Sequence, residues 1–245
     1  VCVSMSRLEI DAGNTFIKWR LREAGTTLAS GRWQTADFRT ECLQDCERRP
    51  DVVWLGSVAG TQVNGALVTA VAECWGLEVR QARTEAVCAG VHNSYADPAR
   101  MGVDRWLAML AGWQRTGGPC CVVDCGSAIT IDILDAEGCH RGGYILPGLR
   151  LMQASLLGST AEIRVEHDLA ASAVLPGCST EEGVGHGARL LLLALAGQIR
   201  QGLPGEVGPV RTLVTGGDAE QLLAYLPDAE HCPDLVLDGL TQALG

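Results

Sequence analysis

The chain carries four short stretches whose residue types could do chemistry. The first is Asp11-Ala12-Gly13-Asn14-Thr15-Phe16-Ile17-Lys18, an acidic glycine turn between two apolar runs. Such a turn presents backbone N–H groups, and Gly13, having no side chain, lets phosphate oxygens come close. Asp11 suits a Mg²⁺ ion riding on those phosphates. A plain structural hairpin is the competing reading. Lys18 is the only lysine in the chain, the other 18 basic residues being arginine. A compact ammonium follows a moving phosphate better than the rigid guanidinium fork does.

The second stretch, Gly102-Val103-Asp104-Arg105, opens a helical pattern. There a carboxylate could accept a hydroxyl proton and a guanidinium could clamp a carboxylate. Helix capping by Asp104 with a solvated Arg105 explains the same residues, and on the residues alone it stands slightly ahead. The third runs from Asp124 to Gly148, DCGSAITIDILDAEGCHRGGYILPG. Asp124 ends one apolar strand and suits a cation, Asp132 suits either a site or a structural role, and Gly142-Gly143 and Pro147-Gly148 read as tight turns. The fourth, Thr215-Gly216-Gly217-Asp218-Ala219, reads as a strand–glycine–helix junction where a flat base or ribose could lie against the backbone. No GxxxxGK[ST] sequence and no HRD or DFG set is present, so a phosphate site here belongs to neither the P-loop nor the protein-kinase architecture.

The elements that position these stretches follow an α/β pattern. Apolar residues at 103, 106, 107, 110 and 113 have helical spacing. The breaker Gln114-Arg115-Thr116-Gly117-Gly118-Pro119 then ends that helix, and CCVVDCGSAITIDIL reads as two strands around a turn. Val52–Gly56 and Val210–Val214 read as strands, Leu77–Val79 as a short strand, Gly65–Trp75 as a helix, and Gly187–Gln201 as a strongly apolar helix. The segment around Asp124 resembles that around Asp11, 113 residues earlier: strand, Asp-x-Gly, small polar residue, apolar run. This pattern predicts an internal duplication, with lobes at 1–117 and 118–245.

Bulk properties narrow the function. The chain has 245 residues, 47% hydrophobic and 20% charged, with a net charge of −10. That is enough apolar residue to fill a core, and the wrong sign for a general nucleic-acid binder or a membrane-adsorbing protein. No run reaches the ~18 apolar residues of a membrane span, and the N-terminus lacks the basic start and apolar run of a signal peptide, so a cytoplasmic protein is expected. The 11 cysteines form no CxxC pair, which favours structural free thiols over a zinc site.

Taken together, DAGNTFIK at 11–18, GVDRW at 102–106, DCGSAITID at 124–132, GGYILPG at 142–148 and TGGDA at 215–219 resemble the type III pantothenate kinases, of the acetate kinase/sugar kinase/Hsp70/actin superfamily. The set spans nearly the whole chain in the family's order. The resemblance implies an α/β fold of two duplicated ribonuclease-H-like (actin-like ATPase) lobes, mixed sheets flanked by helices, with ATP in the cleft. It implies transfer of the γ-phosphoryl group to pantothenate, the first committed step toward coenzyme A, in a homodimer.

Residue by residue, it implies that Asp11, Ala12, Gly13, Asn14, Thr15, Phe16, Ile17 and Lys18 form a phosphate loop and that Asp104 is the general base. Gly102, Val103, Asp104 and Arg105 would contact pantothenate with Tyr95 and Thr180, and Ser127 would contact ATP where the family more often has Thr. Asp124 would hold a monovalent cation, K⁺ or NH₄⁺, beside the Mg²⁺ that accompanies ATP. Gly216 and Gly217 are read as nucleotide contacts. The apolar Gly187–Gln201 helix would serve the dimer or a buried core. Two rivals remain: a non-catalytic regulator on the same scaffold, and a kinase of the same superfamily acting on a sugar or small acid.

Overall fold

The structure, a computed structural model, describes residues 5–158, 174–204 and 208–245. The chain forms two compact units, one of Val1–Arg115 with Asp234–Gly245, the other of Thr116–Pro233.

In the first unit, β1 (Ser6–Ala12), β2 (Phe16–Glu23), β3 (Thr26–Gln34), β4 (Val52–Ser57) and β5 (Val79–Gln81) form a sheet of order β3-β2-β1-β4-β5. β1, β2 and β3 are antiparallel neighbours, whereas β4 runs parallel to β1 and β5 parallel to β4. Leu8, Ile10, Ile17, Leu21, Val53 and Leu55 fill the core with Leu67, Ala70 and Val71 of helix α1 (Gly60–Trp75). A small hairpin, β6 (Val87–Cys88) with β7 (Val91–His92), turns through Ala89 and Gly90, both at positive φ as a tight two-residue hairpin turn requires. Helix α2 (Val103–Thr116) follows, buried along Trp106–Ala111.

The second unit repeats the plan. β8 (Cys120–Cys125), β9 (Ala128–Leu134), β10 (His140–Pro147), β11 (Arg211–Thr215) and β12 (Glu230–His231) take the order β10-β9-β8-β11-β12 with the same pattern of directions. Helices α3 (Leu149–Gly158), α4 (Thr180–Gln201) and α5 (Ala219–Leu223) accompany it. Val123, Ile129, Ile131, Ile133 and Val214 pack with Leu192, Ala196 and Ile199 of α4. Most buried strand positions are apolar, the exceptions being polar residues such as Glu9, Arg20, Asp132 and His140.

Four boundaries differ from the sequence reading. α1 begins five residues earlier, at Gly60, whose φ of +85° lets the chain turn into the helix. α4 begins at Thr180 rather than Gly187: Ser179 caps it by accepting the Glu182 N–H, and Glu182 accepts the Cys178 N–H. The glycines at 183, 185 and 187 hide this helix from periodicity, yet they lie inside it. Gly142-Gly143 is an irregularity within β10, not a turn, because the β9–β10 register shifts between His140 and Gly143. The chain after Pro233 returns to the first unit, so helix α6 (Leu235–Leu244) packs on β1 and β4 and not within 118–245 as the two-lobe reading has it.

Polar contacts anchor α6. Glu9, fully buried, is bound by Arg20 at 2.6 Å and Arg7 at 2.7 Å. Arg20 continues to Asp238 at 2.8 Å, and Arg7 donates to the Thr241 hydroxyl at 3.0 Å. Among the described residues no helix is long and apolar enough to cross a membrane. Replacing Arg20 leaves Glu9 as a buried charge with only the half-buried Arg7 to compensate it. Arg20→Met should therefore cost about 3 kcal/mol in urea unfolding, the scale of a broken buried ion pair. A loss under about 1 kcal/mol would sink the idea that this network fastens α6.

Candidate active site

The Asp11 turn closes between β1 and β2. Asp11 pairs with Lys18 on one side and Gly56 on the other, and the Gly13 N–H donates to the Phe16 carbonyl at 3.0 Å. Directly opposed residues of an antiparallel pair share a face of the sheet, so Lys18 accompanies Asp11. Asn14 and Thr15 are exposed at the tip, and the Thr35 hydroxyl donates to the Gly13 carbonyl at 2.8 Å.

The structure also places at this edge a corner that the sequence reading passed over, Ser57-Val58-Ala59-Gly60. The Val58 N–H donates to the Ala12 carbonyl at 3.0 Å, and the Ser57 hydroxyl bonds to the Asn64 side chain. Its signal was a second strand–small residue–glycine–helix junction, like the one at 215–219.

Tyr95, Gly102, Val103, Asp104 and Arg105 come together. Asn93 accepts the Tyr95 N–H at 2.9 Å, fixing the turn that presents the ring. Arg105 is 7% exposed, and its Nη1 donates to the Tyr95 hydroxyl at 2.9 Å. That burial corrects the solvated-arginine alternative. Asp104 is half-buried at the first turn of α2, where Oδ1 accepts the Arg105 N–H at 2.8 Å. A Cβ on Gly102 would sit 2.5 Å from Asp104 Oδ1, so a larger residue there would displace that carboxylate. Behind this turn, a Cβ on Gly239 of α6 would overlap the Leu107 carbonyl, so α2 and α6 touch backbone to backbone.

In the second unit the turn after Asp124 is one residue shorter. Gly126 N–H donates to the Ala128 carbonyl at 2.9 Å, and Asp124 pairs with Thr130 and Thr215. Ser127 is exposed at the tip, and its carbonyl accepts the Gly148 N–H at 3.1 Å, so the start of α3 abuts the loop. Gly216 sits at φ +96°, where a Cβ would overlap the Cys125 carbonyl and lie 2.5 Å from Asp124 Oδ1. Gly217 beside it has open space. The Asp218 N–H donates to the Cys125 carbonyl at 2.9 Å.

Burial raises the Asp218 carboxyl above its ordinary range, with Arg150 partly opposing. Burial and then the charges of Asp124 and Asp218 push the Cys125 thiol up to about 12, so it is inert as a nucleophile. The two carboxylates thus make this corner negative. Asp132 is not at the loop edge: it is buried and bonded to His140 Nε2 at 2.9 Å. Thr180 is exposed at the first position of α4.

Comparison with known proteins decides the family. The family profile described as Type III pantothenate kinase matches residues 7–201. The chain belongs to the type III pantothenate kinases. It is 38% identical to the type III pantothenate kinase of Ectopseudomonas mendocina, over 96% of this chain and 98% of that one. It is 39% identical to that of Chromohalobacter salexigens, over 95% and 85%. Among solved structures, a conserved Baf family protein from Campylobacter jejuni described as a transcriptional activator superposes with a TM-score of 0.61 at 20% identity, covering 98% of this chain and 97% of its own. A protein described as a 2-dehydro-3-deoxygalactonokinase from Sinorhizobium meliloti gives 0.59 at 14% identity, over 97% and 95%. The fold is therefore the duplicated α/β fold of the actin-like ATPases and sugar kinases.

The crowding at Gly216 yields a test for this type III pantothenate kinase. Gly216→Ala would force a side chain into a left-handed backbone position and onto the Asp124 carboxylate, a strain above ~1 kcal/mol. ATP affinity measured by calorimetry should fall about tenfold or more. Wild-type affinity in that variant would remove Gly216 from the nucleotide site.

Proposed function

We propose that this chain transfers the γ-phosphoryl group of ATP to the hydroxyl of pantothenate, the first step of coenzyme A synthesis, with Asp104 as general base. Family membership over most of the chain supports the reaction. The observation that carries the role of Asp104 is its place at the α2 N-terminus beside the buried Arg105–Tyr95 pair. A substrate whose carboxylate meets Arg105 and whose chain lies along Tyr95 would bring a hydroxyl to Asp104. The carboxylate would accept the proton as the oxygen–phosphorus bond forms. Catalysis of this kind is mainly positioning plus offset of phosphate charge.

The loop at 11–18 would receive phosphates through its N–H groups and Lys18. Ser127, Gly216 and Gly217 would receive the nucleotide in the second unit. Asp124 suits K⁺ or NH₄⁺: its carboxylate oxygen is a hard donor, and the neighbouring Asp218 makes the corner negative. Asp11 suits the Mg²⁺ that travels with ATP, and bound cations would offset the phosphate charge. Thr180 would contact pantothenate, the residue of this set with the least support from its surroundings. The enzyme would work in the cytoplasm, where its cysteines stay thiols.

A homodimer is part of this reading. Helix α4 leaves Leu190 54%, Leu191 57% and Leu193 40% exposed, and the positions of Gly183 and Gly187 face open space. A second copy would bury this apolar face. Sedimentation equilibrium should give a dimer for the wild type and a monomer for Leu191→Glu. A dimer unchanged by Leu191→Glu would place the interface elsewhere.

The decisive experiment is ADP release dependent on both ATP and pantothenate, with and without K⁺ or NH₄⁺. Asp104→Asn should keep both ligands bound yet lower turnover by ~10²-fold or more, the scale of general-base catalysis. Near-normal turnover would refute the base, and no release from the wild type under any condition would refute the reaction.

A further inference from the structure

The corner Ser57-Val58-Ala59-Gly60 touches both halves of the chemistry in the first unit. On one side it is tied to the Asp11 loop. Ser57 pairs with Ala12 in the parallel ladder, and the Val58 N–H donates to the Ala12 carbonyl at 3.0 Å. On the other side it reaches the base. Val58 Cγ1 lies 3.7 Å from the point a Gly102 Cβ would occupy, and Asp104 Oδ1 lies 2.5 Å from that same point.

Val58 is only half-buried, so its methyl groups are not consumed by the core. The corner is also braced. The Ser57 hydroxyl bonds to Asn64 on α1 and accepts the Ala59 N–H at 3.2 Å. These bonds hold the corner while leaving the Val58 side chain toward Gly102.

We infer that Val58 is a specificity-determining residue, an apolar contact for the substituents on the carbon next to the reacting hydroxyl. The inference rests on pantothenate as acceptor and Asp104 as base. In pantothenate the phosphorylated hydroxyl sits on a CH₂ whose neighbour is a quaternary carbon bearing two methyl groups. A hydroxyl at Asp104, on its way to a phosphate held by the Asp11 loop, brings that dimethyl carbon to the strip of surface between the two, which is the Val58 side chain. Apolar contact there distinguishes a dimethyl acceptor from an unbranched one by the worth of one or two methyl groups, about 10-fold or more. Of the neighbours at this turn, Asp104 and Arg105 are charged, Gly102 has no side chain, and Val103 and Met101 are buried in the core.

The test compares two acceptors, pantothenate and the analogue in which both methyl groups are replaced by hydrogen. Steady-state kcat/KM is measured for wild type, Val58→Ala and Val58→Thr. In the wild type, pantothenate should be preferred. In Val58→Ala, kcat/KM for pantothenate should fall about tenfold while that for the analogue changes little, so the preference collapses, and KM for ATP should stay put. Val58→Thr keeps the shape and loses one methyl; it should show a partial loss, and it carries the test if Val58→Ala does not fold.

Equal losses on both acceptors, or a loss confined to KM for ATP, would mean a structural corner and overturn the inference. Turnover of pantothenate by the wild type without any preference over the analogue would overturn it while leaving the proposed reaction standing. No turnover of either acceptor by the wild type would strike the reaction itself, and this inference with it.

Discussion

One hydrogen bond recurs at the heart of both units: the N–H of the strand–helix corner closes onto the residue after the loop aspartate. In the first unit it is Val58 N–H to the Ala12 carbonyl, and in the second Asp218 N–H to the Cys125 carbonyl. Each follows a parallel pair, β1 with β4 and β8 with β11, which near its end sets Asp11 opposite Gly56 and Asp124 opposite Thr215. A parallel pair cannot be closed by a short turn, so its two ends are free to diverge. The corner bond stops that divergence at the edge where the acidic turns stand. The remaining features of each edge depend on it: the turn beside the aspartate, the entry to the following helix, and the room next to the carboxylate.

On that shared frame the two loops have diverged in ways that explain different duties. The antiparallel partner of Asp11 is Lys18, whereas the partner of Asp124 is Thr130. A lysine across the ladder offsets the aspartate charge and adds a donor for an anion. Threonine brings no positive charge to Asp124, and Asp218 nearby adds a second carboxyl, whose ionisation burial opposes. The first edge therefore sets a cation across the ladder from its aspartate and the second does not, although both follow one strand–Asp-x-Gly–strand pattern. A protein of net charge −10 can handle a polyanion because the charge is arranged locally and not through a basic surface.

Much of this was legible in the residues, and the reasons for the rest are specific. The strands around Asp11 and Asp124 and the helix after Asp104 carry strong periodicity, so their type and place could be read directly. The start of α4 could not, since Gly183, Gly185 and Gly187 are poor helix formers held there by the Ser179 cap and by packing of Ala188 and Leu192. The bulge in β10 looks like a turn because Gly142 at φ +107° is the signature of either. The return of α6 to the first unit leaves no local mark. Its reason is long-range, in the Glu9–Arg20–Asp238 ion network and the backbone contact of Gly239 with Leu107. Arg105 illustrates the same limit: sequence favoured a solvated side chain, and the Tyr95 hydroxyl that holds it buried is ten residues away.

The contact between Gly239 and Leu107 bears on how Asp104 is held. α2 must present its first turn at the sheet edge while the rest of it is buried, and a helix can slide along its axis unless something interlocks with it. Leu107 is gripped from two sides, its side chain against Gly56 of β4 and its backbone against Gly239 of α6. The grip at Gly239 needs glycine, because a methyl group there would overlap the Leu107 backbone, and one at Gly56 would press on the Leu107 side chain. Gly56 is itself the rung opposite Asp11. The residue that seats α2 and the residue that pairs with Asp11 are thus one and the same. The distance from Asp11 to Asp104 is set by a single close-packed column, Asp11–Gly56–Leu107–Gly239, rather than by the loops that display them. In a reaction that needs a hydroxyl and a phosphate placed in line, rigid placement of this kind removes part of the entropic barrier before the reactants meet.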